Sequence, residues 1–252
     1  MKNTFLFALT LLLALGTTSC GKEKKGTVEL NFKALYDGSP LVMMEPYAYN
    51  DTLDVFFTAF NFYISDVSLV REDGSEVPLT EIDFVDFDDM DALSKAQEGF
   101  SMDFSEVPSG KYKAVRIGIG VPMMLNETRA SDYPAGHPLA KDSHYWDAWE
   151  SYIFSMTSGK VDANGDGVFD DGAILYHCGS DEVYRSKELP FVFELDKNGK
   201  AVVPFKVDVH RCFEEGDGYI DIIAHPATHT IDNLTWAMKF MDNMIEDFSI
   251  ND

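Results

Sequence analysis

Short apolar runs at every second position, each stopped by glycine, proline, aspartate or asparagine, constrain this chain more than any other feature. From Thr27 to Leu35, Val28, Leu30, Phe32 and Ala34 alternate with Glu29, Asn31 and Lys33, the period of a half-buried strand. The turn residues Asp37, Gly38, Ser39 and Pro40 end it. Asp54 to Val70 carries Phe56, Phe57, Phe60, Phe62, Tyr63, Ile64, Val67 and Leu69, which predicts a long strand, or a pair, buried on both faces. Asp73 and Gly74 form a hairpin signal before Val77 and Leu79, and Asn198–Gly199 stands between the runs 191–195 and 202–209. Further strands are expected over 111–121 and 219–224, and the acidic segment 85–92 reads as a solvated loop. The pattern predicts an all-β fold, an antiparallel sandwich or barrel. The exception is a short C-terminal helix, capped by Asp232, with Leu234, Met238, Met241, Ile245 and Phe248 at helical spacing. It is expected to cover an open end or edge of the sheets.

The ends bound the rest. Lys2, an apolar run from Phe5 to Leu15 and the small residues Thr17, Thr18 and Ser19 before Cys20 read as a lipoprotein signal peptide over 1–19. Cys20 is the expected lipidation site, with 20–26 a polar tether and 27–252 one domain. This predicts a cell-envelope protein, anchored to a membrane outside the cytoplasm and facing the periplasm or the cell surface. The 43 acidic against 20 basic side chains, a formal charge of -23, argue against nucleic acid as a partner. With Cys20 assigned to lipid, Cys178 and Cys212 are expected to pair as a disulfide, worth roughly 4 kcal/mol in the chain-entropy account. Thiolate ligation of a metal is the competing reading, since His177 and His210 lie close in sequence.

Two stretches carry chemistry. His137 to Gly159 gathers His137, His144, Trp146, Trp149, Tyr152, Phe154 and Met156. Imidazoles beside indoles suit a copper or electron-transfer site, whereas the same aromatics could equally be core. Directly after it, Asp162, Asn164, Asp166, the Val168 carbonyl, Asp170 and Asp171 have the early spacing of a calcium loop, Gly167 permitting the sharp turn. Ala173 stands where a closing glutamate would be, so Asp170 or Asp171 would have to close the calcium shell, in a structural role. An Asx-rich turn without metal uses the same residues. His225 and His229 are four apart, but Pro226 weakens a shared helical face.

Six phrases in order, Leu35–Met43, Phe62–Leu69, Gly120–Asn126, His137–Leu139, Trp146–Phe154 and Tyr176–Gly179, resemble the MbnP-like family of methanobactin-associated copper-binding proteins. The resemblance implies a β-rich domain that binds or sequesters copper. It also implies a tryptophan oxidised to kynurenine by a partner di-haem peroxidase of the cytochrome c peroxidase type. By position, the implied copper candidates are His137, His144 and His177, with Trp146 and Trp149 as the indoles. The alternative is a calcium-stabilised interaction or adhesion module of the cell surface without copper chemistry. No nucleophile elbow or His-Glu-x-x-His pattern is present, so no enzymatic activity is expected.

Overall fold

The computed structural model describes residues 24–229 and 233–250. The expected signal peptide, Cys20 and Asp232 lie outside the described residues. The strands, in chain order, are β1 (Lys25–Tyr36), β2 (Ser39–Pro40), β3 (Tyr47–Ala48), β4 (Asp54–Arg71), β5 (Glu76–Asp86), β6 (Phe100–Pro108), β7 (Gly110–Ile119) and β8 (Tyr145–Trp146). They continue with β9 (Ser151–Asp162), β10 (Gly172–Gly179), β11 (Arg185–Leu195), β12 (Lys200–Asp208), β13 (Glu214–Glu215), β14 (Gly218–Tyr219) and β15 (Ser249–Ile250). Four α-helical segments join them: α1 (Leu93–Glu98), α2 (Met123–Asn126), α3 (Val209–Cys212) and α4 (Leu234–Asp247).

Two sheets face each other. One has the order β15-β12-β1-β2 with β6 also on β1; the other runs β10-β9-β4-β7-β11, with β3 and β5 on β4 and β8 on β9. Their inner faces are the alternating apolar positions. Phe32 of the first sheet stacks on Phe205 at 4.9 Å and meets Phe62 of the second edge-on at 6.5 Å. Such pairs add to area burial because the positive ring edge meets the negative face. The expected sandwich is therefore present. The pairing is not antiparallel throughout, because β1 runs parallel to β12 from Thr27↔Lys200 to Leu35↔Asp208. A parallel neighbour needs a long crossover, and nearly the whole domain separates these two strands.

β4 organises the second sheet. Its residues 54–62 pair with β9 and 64–71 with β7, while β5 takes the opposite edge. Phe57, Phe60, Phe62 and Ile64 are fully buried, and so is Tyr63 on the opposite face to Phe62 and Ile64, because residues of the segment 122–150, Pro138 and His144 among them, cover that outer face. Tyr63 there meets Phe84 at 4.9 Å and Tyr152 at 6.0 Å, and its hydroxyl donates to the Pro138 carbonyl. Helix α4 buries Ala237, Phe240, Met241 and Met244 against strands of both sheets. The Lys187 ammonium caps its C-terminus, donating to the carbonyls of Ile245, Glu246 and Phe248, each at 2.9 Å.

Four expectations are corrected. The Asn198–Gly199 turn closes no hairpin: β11 belongs to the second sheet and β12 to the first, so the turn carries the chain across the sandwich. The acidic segment is not simply a solvated loop: β5 runs to Asp86, Phe87 is buried, and Asp88 accepts from the Phe60 amide and the Asn61 carboxamide. The strand expected over 219–224 shrinks to the two residues of β14; Ile220 and Ile222 are buried from an irregular segment. The Cys178–Cys212 disulfide is not formed: both thiols are buried and free, one 3.8 Å from the Thr228 hydroxyl and the other donating to the Asp208 carbonyl. Burial pushes both thiols up, Cys178 to about 12, so neither is a ready thiolate ligand.

Candidate metal site

Ring nitrogens decide which histidines could hold a metal, because a ligating nitrogen must be deprotonated and free of other partners. His137 does not qualify. Its Nδ1 accepts the Leu139 amide at 3.1 Å, capping a short 3-10 turn, so the neutral ring carries its proton on Nε2; the ring stacks on Tyr133 at 4.3 Å. His144 is buried with both nitrogens in use, Nδ1 with the Ser143 hydroxyl at 3.0 Å and Nε2 with Asn61 Oδ1 at 2.9 Å. The Asn61 amide donates to Asp88, which leaves its oxygen as acceptor and fixes the His144 proton on Nε2. Burial between Tyr63 and Phe84, with Lys141 and His177 nearby, pushes this ring down to about 4, so it is neutral at neutral pH.

His177 is different. Strand register places it opposite Met156 on β9, which in turn stands opposite Asn61 on β4, so the three side chains form one row on the outer face. Nε2 of His177 bonds the Ser158 hydroxyl at 2.9 Å, which leaves Nδ1 as the nitrogen that could ligate. Burial, then the neighbouring His229, push it down to about 4, leaving a neutral donor. His229 lies in the segment that hydrogen-bonds along the open edge of β10, where Leu175 exchanges bonds with Pro226 and Thr228. Its ring centre is 5.8 Å from that of His177, and its Nδ1 is buried with no hydrogen-bond partner.

Trp146 completes the group. Its ring lies 5.1 Å from His229 and 6.5 Å from His177, and it stacks on Trp149 at 5.0 Å. Both indoles are half-buried, on the hairpin of β8 and β9, whereas Tyr152 and Phe154 of the same stretch are core. The structure thus brings together His177, Trp146 and Trp149 from the sequence candidates, sends His137 and His144 into structural roles, and adds His229 and Met156. As Pro226 implies, the segment with His225 and His229 is not helical; His225 packs against Trp236, tilted at 4.2 Å between ring centres, while His229 reaches His177.

The acidic loop closes on itself. Asp162 accepts the amides of Asn164, Gly165 and Gly167, Asp166 accepts that of Val168, and Asp171 accepts those of Ala163 and Asn164. Desolvation opposes ionisation of Asp162, but these amides hold its carboxyl below its ordinary value. Among the described residues no group of three His, Cys, Asp or Glu side chains is arranged to hold a metal, at this loop or elsewhere. His177 and His229 supply two such donors, and a third has to come from another residue type.

A mixed β-sandwich with two neighbouring imidazoles, one of them with a buried unsatisfied nitrogen, beside a tryptophan pair at one sheet edge defines a class of candidate metal-binding domains. The profile of the MbnP family matches residues 25–231, and the chain belongs to that family. The solved structure of MbnP from Methylosinus trichosporium is similar at 15% identity and a TM-score of 0.50, covering 75% of this chain and 78% of that one. At that identity the likeness shows the fold. The search of curated proteins finds no match.

Proposed function

We propose that this MbnP-family domain binds copper between His177 and His229, beside Trp146, and that it serves as a lipid-anchored copper-holding protein outside the cytoplasm. The observation that carries the reading is the buried, partnerless Nδ1 of His229, on a ring whose centre lies 5.8 Å from that of the neutral His177. Leaving such a nitrogen unsatisfied costs about 1–3 kcal/mol, and a metal bond removes the cost. The donor chemistry fits copper: two imidazoles, the Met156 thioether across the ladder from His177, and an indole whose oxidised form would add a further donor. A thioether favours copper(I) over harder cations. In this reading Cys20 carries the lipid and a di-haem peroxidase is the partner that oxidises Trp146.

The test is metal analysis of the purified protein after copper loading, with peptide masses recorded across Trp146. One copper per chain in the wild type, lost in His177→Ala and His229→Ala but kept in His137→Ala and His144→Gln, is the expected result. Copper retained by both of the first two variants would overturn the assignment.

A further inference from the structure

The tryptophan hairpin is not self-supporting. It joins its neighbour through two registers, Tyr145↔Tyr152 and Trp146↔Ser151, and Glu150 in its turn has φ +52, a backbone region that costs a side chain energy. Something else must hold the indoles against β10. Asn126, at the end of α2, is buried and reaches the base of this hairpin. Its Oδ1 accepts the Tyr152 amide at 2.9 Å and the Ser151 hydroxyl at 3.1 Å, and its Nδ2 donates to Asp181 Oδ1 at 3.0 Å. Ser151, itself buried and directly across the ladder from Trp146, accepts the Ser180 amide at 2.9 Å. Ser180 lies three residues beyond His177 and has φ +95, so the end of β10 is also held in a conformation its own sequence disfavours. One carboxamide and one hydroxyl therefore tie three segments: α2, the start of β9 that pairs with the Trp146 strand, and the turn that directly follows the strand carrying His177. Arg129, one turn past α2, adds an outer contact, reaching Asp147 at 3.3 Å and Glu150 at 3.1 Å over the Tyr145 ring. These ion pairs are exposed and contribute little; the buried pair is the stiffer link.

We propose that Asn126, acting through Ser151, is the positioning residue of the Trp146–His177–His229 site: it supplies no ligand but sets the distance between the indole and the imidazoles. This rests on the copper reading for its affinity arm, and on the tryptophan stack alone for its spectroscopic arm. The full-length protein is compared with Asn126→Ala, Ser151→Ala and, as a stability control remote from the site, Lys187→Met. Copper(I) affinity is measured by competition with a chromogenic chelator, and near-UV circular dichroism of the metal-free protein reports the stacked indoles. Asn126→Ala is expected to lower affinity about 10- to 100-fold, the usual range for partners that orient ligands, and to collapse the near-UV tryptophan signal with far-UV signal retained. Ser151→Ala, which keeps the bonds of Asn126 to Tyr152 and Asp181, should do the same to a smaller degree. Lys187→Met should change neither, although it lowers the melting temperature. Wild-type affinity and tryptophan signal in both site-side variants would overturn the proposal, and so would equal losses in Lys187→Met. If the wild type takes no copper, the copper reading falls, while loss of the tryptophan signal confined to Asn126→Ala and Ser151→Ala still sustains the positioning role.

Discussion

His144 makes the metal-free protein acid-labile in a window that carboxylates do not cover. Its ring is pushed from 6.5 to about 4, first by burial and then by Lys141 and His177. A depressed value means that the folded state binds the proton less well than the unfolded chain, so the stability it contributes is fully present above pH about 6.5 and lost as the pH falls toward 4. Between about pH 7.5 and pH 5 only the unfolded ring takes up a proton, and integrating that difference gives a loss of about 2 kcal/mol. His177, depressed to a similar value by burial and His229, adds a similar loss of the same sign. The assay is urea unfolding of the wild type and His144→Gln at both pH values. Glutamine keeps an amide donor within reach of Asn61 but cannot titrate. The wild type should lose about 4 kcal/mol from the two rings and the variant about 2 kcal/mol. If both proteins lost the same free energy, His144 would not be the buried neutral ring described above, and the reason for excluding it from the metal site would weaken.

Lys187→Met strips the ammonium from three carbonyls at the end of α4. Desolvation of the lysine offsets part of its gain, so about 2 kcal/mol is expected to disappear, seen as a melting-temperature drop of about 4–8 °C. Gly118→Ala places a methyl group against the Tyr184 hydroxyl and Ser65 on β4, and should cost about 1–3 kcal/mol by overpacking in chemical denaturation; an unchanged midpoint would mean that Tyr184 moves aside freely. Asp162→Ala removes the acceptor for three loop amides. It should raise amide hydrogen exchange at Gly165 and Gly167 with little change in β9 itself, and unaltered exchange there would show that the loop does not depend on this carboxylate.

Much of the fold was legible because it is local. The alternation over 27–35, the apolar run over 54–70 and the Asn-Gly turn before Lys200 encode β1, β4 and the reversal between β11 and β12, since strand period and turn chemistry are properties of neighbouring residues; that this turn joins two sheets rather than closing a hairpin is not a local property. The helical spacing from Leu234 likewise encodes α4. The misread segments were those whose partners are remote. Residues 85–92 look solvated because half are acidic, yet Asp88 is held by Phe60 and Asn61, so its charge marks a hydrogen-bond acceptor for β4 rather than a loop. Cys178 and Cys212 look like a disulfide by compartment and count, but pairing depends on the relative direction of two side chains from β10 and α3.

The sequence by itself determined strands β1, β4, β7, β11 and β12, the terminal helix, the family and the stretch in which the indoles lie, all of which are written in residue type and short-range spacing. Tertiary structure decided the parallel docking of β1 on β12 and the choice of histidines. Six imidazoles are chemically alike in sequence; what separates them is which ring nitrogens remain free after folding. His144 loses its Nε2 to Asn61, 83 positions away, while His229 is brought to His177 by a segment running along the β10 edge with its Nδ1 left unsatisfied. Hydrogen-bond satisfaction is a property of the packed chain, because the groups that meet a buried nitrogen come from strands that only the sheet register brings together.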